Sequence, residues 1–158
     1  MKFNIYNTML DEDKKNILVA ENTLYYAGDD NLSYPFNISL FMKVMFQLDR
    51  KAEEFVYILA FDTKFNLLGV FEISHGTNNM SLASPREILI RALLCGASNI
   101  VMVHNHPSGD IKPSADDLNV TERVYKACKV VGVYLKDHII IGSGDEYCSF
   151  KEKELLNY

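Results

Sequence analysis

Between Ser84 and Gly132 two capped helical segments flank one short apolar run, and no other stretch of the chain restricts its fold as strongly. SPREILIRALLCG opens with Ser84 as N-cap, Pro85 at the first helical position and Glu87 at the third, the pattern of a capping box. Such a cap contributes ~1 kcal/mol. Gly96 supplies the C-terminal stop. NIVMV, Asn99 to Val103, reads as a short buried strand of parallel-sheet character. A second capped helix begins near Ser114, sets Leu118, Thr121, Val124, Cys128 and Val131 along one stripe, and ends at Gly132.

Strands surround this core unit. FVYILAF (Phe55 to Phe61) and LLGVFEISH (Leu67 to His75), separated by the turn Asp62 to Asn66, suggest a hairpin. The polar stretch GTNNMS after it reads as a loop. VYLKDHIII (Val133 to Ile141) is a strand, GSGD a turn, EYCSF a last short strand, and KEKELL a solvated charged tail. Strands alternating with capped helices give an α/β layered domain over roughly 50–150. Ahead of it, NISLFMKVMFQLDRKAE reads as a packing helix with Leu40, Val44, Met45 and Leu48 at helical spacing and Asn37 or Ser39 as N-cap. Residues 1–35 are the least readable, an N-terminal extension with one candidate strand at NILVA and a turn at Gly28 to Asn31; residues 36–158 form the main domain.

Composition narrows the function classes. The 158 residues carry 16 Lys and Arg against 21 Asp and Glu, a net charge of −5, which argues against holding nucleic acid by bulk charge. Three scattered cysteines, Cys95, Cys128 and Cys148, form no CxxC pair and no disulfide framework, and so fit a reducing compartment. The first residues lack the apolar core of a signal peptide, and no apolar run approaches the roughly 20 residues of a membrane span. The expectation is a cytoplasmic protein with no membrane partner.

The chemistry concentrates where NIVMV opens into HNHPSGDIKPSADD. His104 and His106 are two apart, and side chains at i and i+2 of an extended segment leave the same face. Pro107, Gly109 and Pro113 can turn the chain back, bringing Asp117 in the first turn of the next helix toward them. Two histidines and one carboxylate, with a fourth position open to water, make a catalytic zinc arrangement. A hydrolase also needs a base and a donor for the developing oxyanion. Glu54, or Glu53 beside it, stands at the start of the Phe55 strand, and Ser114 lies one helical turn before Asp117. HExxH and the HxE/PCxxC pair of zinc deaminases are both missing. The contiguous letters HNH are not a nuclease motif, whose residues are dispersed. Asn105 and Ser108, which flank the ligands, are read as shaping the loop or as hydrogen-bond donors behind the ligands. His138 is read as a hydrogen-bonded structural histidine, Cys95 as buried, and His75 and Arg86 as residues near the cleft or in local pairs.

The run HNHPSGDIKPSADD resembles the JAMM (MPN+) signature, His-x-His, ten residues, then Asp, and within it the RadC-type branch. SPREILIRALLCGASNIVMVHNHPSG and LKDHIIIGSGDEYCSFKEKELL follow that branch's pattern in order and spacing, over roughly residues 48–156. The resemblance implies a JAMM/MPN-like mixed β-sheet flanked by α-helices. It implies zinc held by His104, His106 and Asp117, the family's serine at Ser114, and a catalytic glutamate before the first core strand. Counting back from Asp62 without gaps favours Glu54 for that glutamate, with Glu53 the alternative. RadC proteins usually carry a helix-hairpin-helix-like region ahead of this domain. About fifty residues precede it here and lack such glycine-rich hairpins, which suggests a short stand-alone version.

Three functions follow from these readings. The first is a zinc metallohydrolase acting on a peptide or isopeptide. The second is a DNA-repair or DNA-processing accessory, or a metal-dependent nuclease, although the acidic charge allows only weak, salt-sensitive binding to nucleic acid. The third is a metal-binding interaction module without turnover.

Overall fold

The computed structural model describes residues 1–29, 31–76 and 83–156. Seven strands, β1 (Lys2–Leu10), β2 (Asn16–Tyr25), β3 (Glu54–Phe61), β4 (Leu67–Gly76), β5 (Asn99–Asn105), β6 (Tyr134–Ile141) and β7 (Tyr147–Ser149), form one sheet in the order β2-β1-β4-β3-β5-β6-β7. Three α-helices accompany it: α1 (Pro35–Phe46), α2 (Pro85–Leu94) and α3 (Ala115–Val131). The pairing is mixed. β3 is antiparallel to both β4 and β5, whereas β5 and β6, linked through α3, run parallel. This is the α/β architecture expected from the alternation of helices and strands.

Period-two alternation assigns the sheet's faces. Val56, Ile58, Ala60, Ile100 and Met102 pack with Ile88 and Ala92 of α2 and Val120, Val124 and Cys128 of α3. The intervening Tyr57, Leu59, Phe61, Val101 and Val103 pack instead with Ile38, Phe41 and Met42 of α1. The sheet therefore lies between one helix and two. β5 is buried along its whole length, which is why NIVMV shows no polar side. No helix among the described residues is long and apolar enough to cross a membrane.

The first 25 residues build a hairpin, β1 with β2, which joins the sheet through Ile5 opposite Val70 of β4. Tyr6 lies across β4 there and stacks on Phe71 at 5.6 Å. A Cβ at Gly69 would come within 2.7 Å of the Tyr6 ring, so glycine is what admits that approach.

Several local expectations are corrected. α1 starts earlier than Asn37 or Ser39: Tyr34 occupies the N-cap position and Pro35 the first turn, where its fixed φ and missing N–H suit a helix start. Asn37 is occupied elsewhere, its side-chain amide donating to Asp29 and to the Asn31 carbonyl. The buried face is Ile38, Ser39, Phe41 and Met42, while Leu40 and Val44 are 38% and 57% exposed. The Ser84 side chain makes no cap hydrogen bond. Glu87 instead binds Arg86 and Arg91, so the reciprocal bond of a capping box is not made at α2. Leu118 and Val131 lie off the buried stripe of α3. The loop expected at GTNNMS falls outside the described residues, apart from Gly76 at the end of β4.

Phe41 sits at the centre of the α1 side. It is fully buried and makes edge contacts with Phe3, Tyr26 and Phe46 at 5.0, 5.1 and 6.0 Å. Phe41→Ala is expected to lower stability by ~3–5 kcal/mol, from lost burial and the cavity left behind. Urea unfolding, with an unchanged m-value, measures it.

Candidate metal centre

β5 ends at the rim of the sheet, and its last residues carry the candidate ligands. His104 is opposite Val56 of β3 and Ile140 of β6, and is completely buried. His106 follows just beyond the strand. Asp117, 1% exposed, comes from the first turn of α3. The three residues converge, their donor atoms lying within 4.8 Å of one another. His104 Nε2 is 3.0 Å from His106 Nε2 and 3.2 Å from Asp117 Oδ1, and His106 Nε2 is 3.4 Å from Asp117 Oδ2. Tetrahedral zinc bonds of ~2.0–2.1 Å give ligand–ligand edges of about 3.3 Å, so this triangle has the size a zinc ion needs.

The donor chemistry agrees. His106 Nδ1 is 2.6 Å from the Asp110 carbonyl and must donate to it, which in a neutral ring leaves a lone pair on Nε2 facing His104. Asp117 Oδ1 is buried and makes no hydrogen bond. Its other oxygen accepts from the Ser114 backbone N–H at 2.7 Å and the Ser114 hydroxyl at 2.8 Å. An uncompensated buried oxygen costs a few kcal/mol, and a cation between it and two imidazoles removes that cost. Burial would raise the Asp117 carboxyl, but the two histidines and the Ser114 N–H hold it well below the usual range. Asp117 in turn pushes His106 up.

Glu54, at the head of β3, lines the same open cleft of about 270 Å³ as His106, Ser108, Ser114 and Asp117. Its Oε1 is buried and without a hydrogen bond, and burial pushes the carboxyl up. Glu53 is exposed. Asn105 decides this register. Its side-chain amide donates to the Glu53 carbonyl at 2.9 Å, and its Oδ1 accepts from the Phe55 N–H at 2.8 Å. Asn105 thus clamps the backbone on both sides of Glu54. The sequence reading of Asn105, as a residue that shapes the loop and donates behind the ligands, did not extend to this clamp on the Glu54 backbone. An asparagine between two candidate ligands was the available signal. Asn105→Ala orphans the Phe55 N–H and is expected to cost ~1–3 kcal/mol, measured by urea unfolding alongside faster exchange of that amide.

Ser114 completes a capping box with Asp117 at α3, its hydroxyl accepting from the Asp117 N–H at 3.1 Å. Of the other candidates, Ser108 lines the cleft and the rest lie outside its lining. Ser108 Oγ accepts from the Asp110 N–H at 3.3 Å. His75 stacks on Phe55 and meets Glu72, Arg86 pairs with Glu87, and Cys95 is half-buried. His138 is completely buried and hydrogen-bonded behind His104.

Comparison with known proteins adds the lineage. A family model described as RadC-like JAB domain matches residues 37–155. A UPF0758 protein of Clostridium acetobutylicum is 44% identical over 113 residues, 72% of this chain and 49% of that protein. UPF0758 proteins of Alkaliphilus oremlandii and Streptococcus gordonii are 38% and 41% identical over 135 and 134 residues, each 85% of this chain and 54% and 56% of the relative. The chain spans about half the length of these curated relatives.

Proposed function

Since the chain belongs to the RadC-like JAB domain family, we propose that it is a zinc-dependent hydrolase of peptide or isopeptide bonds, with His104, His106 and Asp117 as its ligands. The observation that supports this most is Glu54: a carboxylate with a bare buried oxygen, in the same cleft as His106 and Asp117, serves no evident structural purpose. Bound zinc would supply Lewis acidity to the reacting carbonyl. Glu54 would take a proton from the attacking water and deliver it to the departing nitrogen as the C–N bond breaks. A carboxyl raised by burial suits a group that must both accept and return a proton near neutral pH. Ser114 gives its hydroxyl hydrogen to Asp117 as placed, so it would have to turn to support an oxyanion. Three free thiols support our placing it in a reducing compartment, the cytoplasm.

The zinc-loaded protein should be tested on peptide, isopeptide-linked and single- and double-stranded DNA substrates. Cleavage of an amide-bonded substrate that is lost on chelation is the expected result. DNA should bind weakly and lose affinity steeply as salt rises, because the surplus of acidic residues leaves few phosphate contacts. Tight DNA binding at near-physiological salt, or zinc-dependent DNA cleavage, would replace this reading with a DNA-processing one.

A further inference from the structure

We propose that His138 and Thr121 are positioning residues that fix which nitrogen of His104 faces the metal. The inference rests on the reading of His104, His106 and Asp117 as zinc ligands and deepens it. It begins at a group whose hydrogen-bonding role has no ambiguity. The Asp117 backbone carbonyl can only accept, and Thr121 Oγ1, one helical turn on, lies 2.5 Å from it. The hydroxyl's single hydrogen therefore points to that carbonyl.

Polarity then propagates. Toward His138 Nδ1, 2.6 Å away, Thr121 Oγ1 can only accept, so Nδ1 carries the hydrogen. A neutral imidazole has one N–H, which leaves His138 Nε2 as a lone pair. That lone pair lies 2.8 Å from His104 Nδ1 and accepts its hydrogen. The hydrogen of His104 is thereby held on Nδ1, and its Nε2 is bare, facing His106 Nε2 at 3.0 Å and Asp117 Oδ1 at 3.2 Å. His106 reaches the same state by a shorter route, through the Asp110 carbonyl. Both histidines thus present Nε2 lone pairs to one point, and in both cases a backbone carbonyl anchors the polarity.

The setting makes the relay rigid. Thr121 and His138 are 0% exposed, and the His138 ring packs against Phe150 at 4.6 Å. Its backbone N–H donates to Asp137, whose other oxygen accepts from Ser149 at 2.5 Å. α3 therefore supplies both a ligand, Asp117, and the anchor of the relay that orients another ligand on β5. Outer partners of this kind typically change metal affinity by ~10–100-fold.

The test uses the full chain. Metal-free protein labelled with ¹⁵N on histidine reads the tautomers, and competition of Zn²⁺ against a chromophoric chelator reads affinity. In wild type, His104 and His138 should both be Nδ1–H. His138→Phe and Thr121→Val should each weaken zinc binding by ~10–100-fold, and Thr121→Ser should restore it. Thr121→Val conserves shape, so it decides the matter if His138→Phe does not fold. An Nε2–H tautomer at His104, or zinc affinity unchanged in Thr121→Val, overturns the proposal. Lack of amide hydrolysis with the expected tautomers and affinities overturns only the hydrolase reading.

Discussion

His106→Ala is expected to strip the protein of zinc while leaving its stability nearly unchanged, whereas His104→Ala should lose both. Structural zinc in zinc-finger peptides binds with apparent energies of ~10–16 kcal/mol; the same energy shared among three ligands would assign each about 3–5, or roughly 10²–10⁴ in affinity. The two histidines differ in what else they do. His106 sits at the mouth of the cleft with its side chain 16% exposed, and its removal leaves Asp110's carbonyl open to water. His104 is completely buried, and its removal orphans His138 Nε2 in the core. That adds a stability loss of ~1–3 kcal/mol. Elemental analysis and chelator competition read the first effect, and urea unfolding of the metal-free proteins reads the second. Equal zinc in wild type and both variants would remove these residues from the ligand set.

Glu54→Gln should do the opposite, keeping zinc and losing hydrolysis. Gln is nearly isosteric and lies outside the triangle of ligands, so metal content and fold should persist. Its amide accepts no proton at neutral pH, and removal of a general acid–base group typically lowers rate by ~10²–10⁴. Glu53→Gln is the internal control. That side chain is exposed, and only its backbone carbonyl is engaged, by Asn105. Its variant should match wild type within about twofold, as surface changes generally do. Reversed behaviour of the two variants would mean that the register at the head of β3 is off by one. A metal-free Glu54→Gln protein would make Glu54 a ligand.

That register shows where sequence reading stops. Two adjacent glutamates at a strand head point to opposite faces, and a one-residue slip exchanges them. Counting along the chain favours Glu54, but the ladder between β3 and β5, fastened by Asn105, is what turns Glu54 into the cleft and Glu53 to solvent. α1 poses the same problem in helical form. Its segment PFNISLFMKVMF is apolar nearly all round, so the spacing of Leu40 and Val44 is as regular as that of Ile38, Phe41 and Met42. Only the position of the sheet selects the buried side. At α2, Ser84 and Glu87 have the letters of a capping box, but two arginines take the glutamate.

What the chain determined alone is whatever depends on near neighbours. Helix starts and stops at Ser114 and Gly132, strands of the right length, and two histidines on one side of an extended segment all follow from steric and hydrogen-bonding rules spanning a few residues. Even Asp117 was within reach, because the loop that returns it to the histidines is short and rich in proline and glycine. The tertiary structure decided everything carried between distant segments. It attached the β1–β2 hairpin to β4, and it placed His138 behind His104 with Thr121 behind both. His138 is 34 residues from His104, and no local rule joins them. Their meeting requires α3 to cross from β5 to β6, aligning the two strands in parallel so that Met102 stands opposite His138 and His104 opposite Ile140. Packing, acting through that register, fixes the polarity of the buried relay, because only in the folded core are its hydrogens left with a single set of acceptors.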